Sequence, residues 1–219
     1  MRIPLTPHGI KELVTCGGAL LLFTAVAWFY VHPAAAAIPA VLLIWVFSFF
    51  RDPSRAVPPD AGDLVSPADG TVADITEMED AEFLGCPATR VGIFLSVFNV
   101  HINRAPCAGR VEDVHYRKGR FLDARNPKAG AENEALTISL VNAEHSLKAV
   151  VRQISGAIAR RIVCTLKPGD TIARGQRYGM IKFGSRTELI IPSDRVDRIL
   201  VGIGDKVHAG TTLLVRIKK

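Results

Sequence analysis

The distribution of apolar residues divides the chain into a short N-terminal part without charges and a longer part built from short runs. Residues 13–31 and 34–50 contain no charged side chain. Each stretch is close to the ~20 apolar residues that a bilayer-spanning helix needs. His32 and Pro33 lie between them, where a turn is expected. The pattern predicts an N-terminal α-helical membrane hairpin over residues 1–50.

Two other structures are compatible with this apolar segment. The first is a cleaved signal peptide, with the alanines at 34–36 as an A-x-A site. The second apolar stretch would then remain and would still insert. The second alternative is a shallow re-entrant hairpin, which would also attach the protein to the membrane.

The basic residues around the hairpin predict its orientation. Arg2 and Lys11 precede it, Arg51 and Arg55 follow it, and the connection carries no Lys or Arg. The positive-inside rule then places both ends in the cytoplasm. We expect the protein in the cell (inner) membrane, with its soluble domain on the cytoplasmic face.

Beyond the hairpin the period of the apolar residues changes from helical to alternating. Residues 51–62 are rich in Pro and polar groups and are interpreted as a linker, which leaves residues 63–219 as a β-rich domain. Short strands divided by Gly, Pro and Asn are typical of a sandwich or barrel. Residues 119–134 have no period and are interpreted as a long loop, a feature that is often functional. The predicted strands are residues 70–75, 91–100, 109–116, 136–141, 147–154, 178–183 and 189–191.

One sequence pattern occurs twice in the C-terminal part. Residues 169–175 and 204–210 both read G-D-x-[IV]-x-x-G. This pattern resembles the turn of lipoyl-like hammerhead β-sandwiches, in which glycine permits a positive φ. The signature that surrounds a lipoyl or biotin lysine is missing, so we favour two similar hairpins without a carrier function. The predicted fold class is therefore mainly β, a sandwich or barrel with lipoyl-like hammerhead repeats, preceded by the helical hairpin.

Composition and charge narrow the range of partners. The chain has 27 Lys and Arg against 21 Asp and Glu, a formal net charge of +6. Three of the basic residues and one of the acids lie in residues 1–51, so the remainder keeps a net charge of +4. A mildly basic soluble part suits an anionic membrane surface or an acidic substrate. No basic run is interleaved with aromatic residues, so no nucleic-acid partner is expected.

The four cysteines predict neither a metal site nor a disulfide framework. They are Cys16, Cys86, Cys107 and Cys164, and no two of them form a C-x-x-C pair. No metal ligand set is therefore expected.

Four motifs in the soluble part carry polar or nucleophilic side chains. Residues 66–72 read S-P-A-D-G-T-V and place Asp69 in a tight turn. Residues 94–109 end an apolar strand with His101, Asn103 and Arg104. Residues 132–134 read E-N-E, and residues 183–186 read F-G-S-R before another strand. Each motif alone has a plain structural explanation as a turn or a strand end.

Taken in order, and with Arg51-Asp52-Pro53 after the hairpin, these motifs resemble phosphatidylserine decarboxylase in its short, membrane-anchored bacterial form. The resemblance covers essentially the whole chain. It implies that the hydroxyl of Ser185 attacks the carbonyl of Gly184, and that the resulting ester eliminates. The chain would then divide into a β chain, 1–184, and an α chain, 185–219, which stay together as a heterodimer. Ser185 would become an N-terminal pyruvoyl group.

The resemblance also implies roles for other residues. Ser185, His101 and Asp69 form the family's catalytic set, in which a base activates the hydroxyl and a third group orients the base. Decarboxylation of an amino acid requires an electron sink, and the pyruvoyl carbonyl supplies one. No Gly-rich phosphate loop opens a helix here, so pyridoxal phosphate is not expected. Arg104 and Arg186 are candidates for holding the anionic headgroup of phosphatidylserine in the bilayer.

The sequence departs from the family pattern at two positions. Arg186 follows Ser185, where many members have Thr or Ser. Arg104 stands where many members have a second histidine, which leaves open whether His101 alone serves both self-cleavage and decarboxylation.

Several alternatives stay open at this point. A membrane-anchored, non-enzymatic carrier or adaptor would explain the repeat and the hairpin. A serine hydrolase would need a G-x-S-x-G pentapeptide, which the chain lacks. A decarboxylase for a modified serine lipid is a closer variant. The sequence also leaves open whether the α and β chains assemble into higher oligomers.

Overall fold

The computed structural model describes residues 5–59, 62–79, 82–157, 161–182 and 184–218. The chain forms two compact units, Met1–Ser54 and Arg55–Lys219, and each is described by itself. Arg2, residues 60–61 of the predicted linker, and Phe183 of the F-G-S-R motif lie outside the described residues.

The N-terminal unit consists of two apolar helices, which confirms the predicted N-terminal helical region. Helix α1 covers Pro7–Val31, has a mean hydropathy of 1.8, and is long and apolar enough to cross a membrane; helix α2 covers Pro33–Phe49. His32 separates the helices in an extended conformation, and its Nδ1 accepts a hydrogen bond from the Ala34 amide at 3.1 Å. Gly17 of α1 faces Leu43 of α2, where a Cβ would lie 3.8 Å from the leucine Cδ1. A small residue at this position lets the two helices approach closely.

The second unit is mainly β, as the alternation predicts. Among its described residues, the helical segments are a short helix α3, Ala129–Glu132, and a 3₁₀ turn, Ser193–Arg195. The described strands are β1 Asp63–Val65, β2 Gly70–Met78, β3 Ala88–Leu95, β4 Ile102–Arg104, β5 Gly109–Arg117, β6 Ala135–Asn142, β7 Leu147–Ile154, β8 Arg161–Cys164, β9 Thr171–Ile172, β10 Arg177–Lys182, β11 Ser185–Pro192, β12 Val196–Ile199, β13 Lys206–Val207 and β14 Leu213–Ile217.

The strands form one large antiparallel sheet and two small ones. The described residues of the large sheet run in the order β13-β2-β3-β11-β7-β6-β5-β9, and the small sheets run β1-β14-β12 and β4-β10-β8. The main core includes Ile93, Leu95, Val151, Leu189 and Leu214, all of them fully buried. Strand β11 lies between β3 and β7 in the middle of the large sheet, and every residue from Ser185 to Ile191 is buried.

The duplicated G-D-x-[IV]-x-x-G segments occupy equivalent places at the two ends of the large sheet. Strand β9 of the first segment pairs with β5, and β13 of the second pairs with β2. The amide of Gly169 donates to Val111 O at 2.8 Å, and the amide of Gly204 donates to Val72 O at 2.9 Å. The repeat visible in the sequence is therefore also a repeat of the backbone hydrogen bonds.

The segments that receive these bonds are themselves related, which the sequence alone did not suggest. Residues 66–72 and 105–111 share the pattern [SA]-P-x-x-G-x-V. They exchange hydrogen bonds reciprocally, because Val65 N donates to Pro106 O and Arg104 N donates to Pro67 O, both at 3.0 Å. Asp69 belongs to one copy, and Ala108 stands at the matching position of the other. The copy with Ala108 forms its turn without an acid, so the turn itself does not require the carboxylate of Asp69.

Three predicted elements differ from the structure, and the first is the strand predicted for 189–191, which begins at Ser185 and ends at Pro192. The strand predicted for 91–100 ends at Leu95, because Asn99 Oδ1 accepts hydrogen bonds from both the amide and the hydroxyl of Ser96 and so closes a turn. The predicted loop 119–134 contains α3 and is fixed by Asn133. Its Oδ1 accepts from the Leu122 amide at 2.9 Å, and its Nδ2 donates to Leu122 O and Ser155 O, both at 2.8 Å.

Candidate active site

Gly184 and Ser185 lie at the start of the central strand β11. Gly184 has a φ of 59°, in the left-handed region that favours glycine. Ser185 pairs with Leu95 of β3 and is fully buried. Within the part of the chain that the structure describes, its Oγ has no hydrogen-bond partner. A buried hydroxyl is rarely left without a partner, so the environment of Ser185 Oγ is unusual.

The carbonyl of Gly184 is closely packed against a second glycine. A Cβ built on Gly156 would lie 2.1 Å from Gly184 O, and the same position is 3.4 Å from the Cβ of Ala124. Gly156 follows β7, so the end of β7 and the loop around residue 124 enclose the carbonyl. Only glycine permits this approach, which the sequence did not reveal.

A pocket of about 320 Å³ opens beside Gly184. Two loops build most of its wall, one around Val97 and one around Ala124. Arg125 lies at this pocket, with its guanidinium 5.7 Å from the centre of the Phe94 ring. The residues lining the pocket are Phe94, Ser96, Val97, Phe98, Asp123, Ala124, Arg125, Ala157 and Gly184.

Arg125 is the cation that the sequence analysis missed. It forms hydrogen bonds with both carboxylate oxygens of Asp123, at 3.0 and 2.8 Å. These bonds and the Arg125 amide lower the pKa of Asp123 to about 2. The loop without period between residues 119 and 134 was the available signal, since long loops are often functional.

His101 is fully buried on the turn before β4. Its Nδ1 lies 3.0 Å from Asn99 O, and its own carbonyl accepts from the Ile181 amide at 3.3 Å. The carbonyl oxygen of Asn99 can only accept a hydrogen bond. The contact with Asn99 therefore places the proton of the neutral ring on Nδ1 and leaves the lone pair on Nε2. Ile181 belongs to β10, the strand that leads to residue 184. His101 is thereby tied to the segment that carries the Gly184–Ser185 bond.

Asp69 has three described hydrogen-bond partners. Its Oδ2 accepts from Arg55 Nη2 at 2.7 Å and lies 3.3 Å from His208 Nδ1, and its Oδ1 accepts from the Ala209 amide at 2.8 Å. The carboxylate therefore joins the linker side of the domain to the second G-D-x-V-x-x-G turn. Its hydrogen-bonded histidine is His208, which lies in the second G-D-x-V-x-x-G segment. Its predicted pairing with His101 stays a prediction.

A buried amide network connects the His101 motif with the strand of Ser185. Asn103 Nδ2 donates to Thr187 Oγ1 at 3.1 Å, and Gln153 Nε2 donates to Asn103 Oδ1 at 2.8 Å. All three side chains are fully buried. Thr187 is two residues after Ser185 and shares its face of β11.

The two predicted headgroup arginines are both buried. Arg104 Nη1 donates to Gly175 O at 3.0 Å, and a Cβ on Gly210 would lie 2.9 Å from its Cδ, so Arg104 fills the space between the two repeated turns. Arg186 lies on the opposite face of β11 from Ser185, where it donates to Asp74 at 2.8 Å and to Glu188 at 2.8 Å. Burial by itself would lower the pKa of Arg186, but these two carboxylates outweigh it and raise the pKa.

Arg186 belongs to a charged cluster beside a second pocket, of about 710 Å³. Glu188, which is fully buried, lies 3.7 Å from both Arg90 Nη1 and Arg152 Nη1. Burial lowers the pKa of Arg152, although Glu188 partly opposes this effect. No three His, Cys, Asp or Glu side chains among the described residues are grouped so that they could hold a metal ion.

Comparison with known proteins identifies the family. The family model for phosphatidylserine decarboxylase matches residues 42–215. A phosphatidylserine decarboxylase proenzyme of Rhodopirellula baltica is 43% identical over 99% of this chain and 90% of its own length. The proenzyme of Carboxydothermus hydrogenoformans is 47% identical over 81% of the chain and 82% of its own length, and that of Trichlorobacter lovleyi is 41% identical over 97% and 96%.

The matches to the Rhodopirellula and Trichlorobacter proteins cover nearly the whole chain, and all of these matches weigh against both the carrier and the serine hydrolase. The sequence motifs, the buried serine after a left-handed glycine and the extent of the matches agree with one another. This chain is an enzyme that belongs to the phosphatidylserine decarboxylase family.

Proposed function

We propose that this protein converts phosphatidylserine to phosphatidylethanolamine and CO₂, using a pyruvoyl group that it forms from its own Ser185. The observation that carries the proposal is the Gly184–Ser185 junction. A fully buried hydroxyl without a described partner follows a glycine in the left-handed region, and the glycine carbonyl is enclosed by Gly156 and Ala124.

The first step would be a rearrangement of the backbone. Ser185 Oγ attacks the carbonyl carbon of Gly184, the C–N bond breaks, and an ester replaces the amide. Loss of the Cα proton of Ser185 then expels the Gly184 carboxylate from Cβ, which separates the β chain 1–184 from the α chain 185–219. Water replaces the nitrogen of the remaining dehydroalanine, and ammonia leaves. The residue at 185 keeps a ketone.

His101 would be the base in the first step. Its Nδ1 proton is committed to Asn99 O, so the lone pair of Nε2 can accept the hydroxyl proton. Asp69 would act on His101 through its negative charge. Its own hydrogen bonds are with Arg55 and His208. The Asn103–Thr187 hydrogen bond would keep the His101 segment in register with β11.

The residues around position 185 fit the product of this reaction. The start of β11 is paired on one side with Leu95 and on the other with Ile154, through Arg186, so the new chain end would stay in the sheet after cleavage. The pyruvoyl ketone would supply the electron sink that decarboxylation requires. His101 would deliver the proton that replaces CO₂.

Arg125 would hold the anionic headgroup. Arg186 already faces two carboxylates on the other side of β11, and Arg104 is enclosed between the repeated turns. Arg125 is also paired with a carboxylate, Asp123, and lines the pocket beside Arg186, but it lines the pocket at Gly184 as well and its guanidinium is exposed. We therefore rank it above Arg104 and Arg186 as the substrate-binding cation.

The apolar helices would keep the enzyme on the membrane that contains its substrate. Substrate acyl chains stay in the bilayer, so an enzyme acting on the headgroup must work at the membrane surface. The loop charges favour the cytoplasmic face of the cell membrane. The α and β chains would remain together, because β11 of the α chain is the centre of a sheet built mostly from the β chain.

The proposal is tested by comparing wild type with Ser185→Ala. We expect the wild-type protein to consist of two fragments divided after Gly184. The smaller fragment should have a blocked N-terminus, and this N-terminus should react with a carbonyl reagent. Ser185→Ala should remain one chain and form no phosphatidylethanolamine, because it has no hydroxyl to rearrange. Ser139→Ala, at a buried serine of β6, is the matched control and should cleave normally. A free serine amine at residue 185, found by mass spectrometry, would refute the mechanism.

A further inference from the structure

The pocket at Gly184 is bordered by an aromatic side chain that points into solvent. Phe98 is 72% exposed, although it lines this pocket. Its turn is held in place because Asn99 Oδ1 accepts from Ser96 N at 2.9 Å and from Ser96 Oγ at 2.8 Å. A fixed turn thus presents a large apolar surface at the mouth of the reaction pocket.

The second loop that contributes to the pocket wall is basic and carries another exposed aromatic residue. Phe121, 42% exposed, lies in the loop 118–128 that contributes Asp123, Ala124 and Arg125 to the pocket. This loop also carries Lys118, Arg120 and Lys128, all exposed, and Asp123 is its one acid, so its net charge is +3. Asn133 fixes the loop through both hydrogen bonds with Leu122.

Exposed apolar residues are common on soluble proteins, and one of them alone needs no explanation. Ile203, for example, is 68% exposed on a turn that does not line the pocket. Phe98 and Phe121 differ because Phe98 lines the pocket and Phe121 lies on the basic loop that contributes Asp123, Ala124 and Arg125 to the pocket. Aromatic side chains beside Lys and Arg are the combination that binds the interface of an anionic bilayer.

We propose that this pocket mouth, formed by Phe98 and the loop 118–128, inserts into the headgroup region of an anionic lipid bilayer. It is a second membrane contact within Arg55–Lys219, separate from the apolar helices. This inference rests on the proposed function, because a lipid substrate whose acyl chains stay in the bilayer can reach the Gly184 pocket only if the pocket opens onto the lipid surface. The cations attract anionic lipid, and the two aromatic rings reach the boundary with the acyl chains.

The direct test places a fluorophore at the pocket mouth of the full-length protein. Trp28 and Trp45 are replaced by Phe, and Phe98→Trp is compared with the control Ile203→Trp in vesicles of phosphatidylserine and phosphatidylcholine. We expect brominated lipid to quench the fluorescence at position 98 at least about twofold more than at position 203. Equal quenching at the two positions, or none at position 98, would overturn the proposal.

A second measurement separates membrane contact from chemistry. Phe121→Ser should lower turnover of phosphatidylserine in vesicles by about tenfold, since Phe121 does not line the pocket and an aromatic side chain buried in lipid contributes more than the free energy of one tenfold step. Turnover of a short-chain, monomeric phosphatidylserine and self-cleavage should both stay at the wild-type level. Equal losses on both substrates would contradict a lipid contact. The quenching experiment needs no catalysis, so failure of the proposed pyruvoyl chemistry would leave it interpretable.

Discussion

The two faces of strand β11 perform different tasks, although their residues alternate in sequence. Ser185 and Thr187 point toward the main core, where their neighbours are neutral amides such as Asn103. Arg186 and Glu188 point the other way, into a cluster of ion pairs with Asp74, Arg90 and Arg152. The hydroxyl of Ser185 is thereby kept away from fixed charges that lie only one residue along the chain. Successive side chains of a strand point to opposite faces of the sheet, so the sheet separates residues that are neighbours in sequence.

The largest effect on the Ser185 face is expected for Gly156→Ala. The new Cβ would lie 2.1 Å from Gly184 O, so the carbonyl must move before Ser185 can attack it. A shift of this size should slow self-cleavage by roughly 100-fold or more. Cleavage is followed on gels after expression. Gly202→Ala, whose Cβ would meet Asp205 Oδ2 at 3.8 Å, is the control and should cleave like wild type. Rapid cleavage of Gly156→Ala would mean that the carbonyl does not need this close support.

The second prediction concerns the charged face and separates stability from chemistry. Glu188→Gln leaves the buried guanidinium groups of Arg186 and Arg152 without their shared carboxylate. We expect the free energy of unfolding to fall by about 3–5 kcal/mol, while the folded fraction still cleaves itself. Denaturant unfolding in detergent measures the first quantity and gel analysis the second. Glu112→Gln, which breaks the half-exposed pair with Lys148, should change stability by no more than about 1 kcal/mol. A Glu188→Gln protein that is stable but uncleaved would place the charged face in the chemistry.

The smallest effect is a pH dependence of the same cluster. Burial by itself would raise the pKa of Asp74, but hydrogen bonds and charge from Arg186 and Arg90 outweigh it, and its pKa lies below the ordinary value of 3.8. Because the folded-state pKa is depressed, the stabilisation is complete above the pKa of the unfolded chain and is lost as pH falls through the folded-state pKa. When the pH is lowered below about 4, the denaturant concentration at the unfolding midpoint should therefore decrease more for wild type than for Asp74→Asn. Above about pH 5 the midpoints of the two proteins should change in parallel. Parallel profiles down to pH 2 would show that Asp74 does not contribute in this way.

Several features of this protein follow from the sequence because they depend on local pattern. The apolar stretches predict the N-terminal helices, and alternation with Gly and Pro predicts a mainly β domain. Strand ends were less predictable, as β3 shows, because a single side chain, Asn99, closes the turn after Leu95. The duplicated G-D-x-[IV]-x-x-G turn was visible, but its partner repeat at 66–72 and 105–111 became evident only from the reciprocal hydrogen bonds.

The site residues divide in the same way. The order of Asp69, His101 and Ser185 along the chain carried the resemblance to the family, and the comparisons bear out that family. Their spatial partners could not be inferred, because each partner is brought by a strand or turn far away in sequence: His208 for Asp69 and Gly156 for the Gly184 carbonyl. Arg125 was overlooked because its loop has no period, and only the fold brings that loop to Gly184.

The sequence by itself determined which kinds of element form and which family of enzyme they build, since both depend on residue type and order. Tertiary structure decided which groups meet. The alternation of β11 sends Ser185 and Arg186 to opposite faces, and a missing side chain at Gly156 lets β7 approach the carbonyl of Gly184. Those contacts arise from pairing between strands that are far apart in sequence, and no local pattern specifies which distant strands pair.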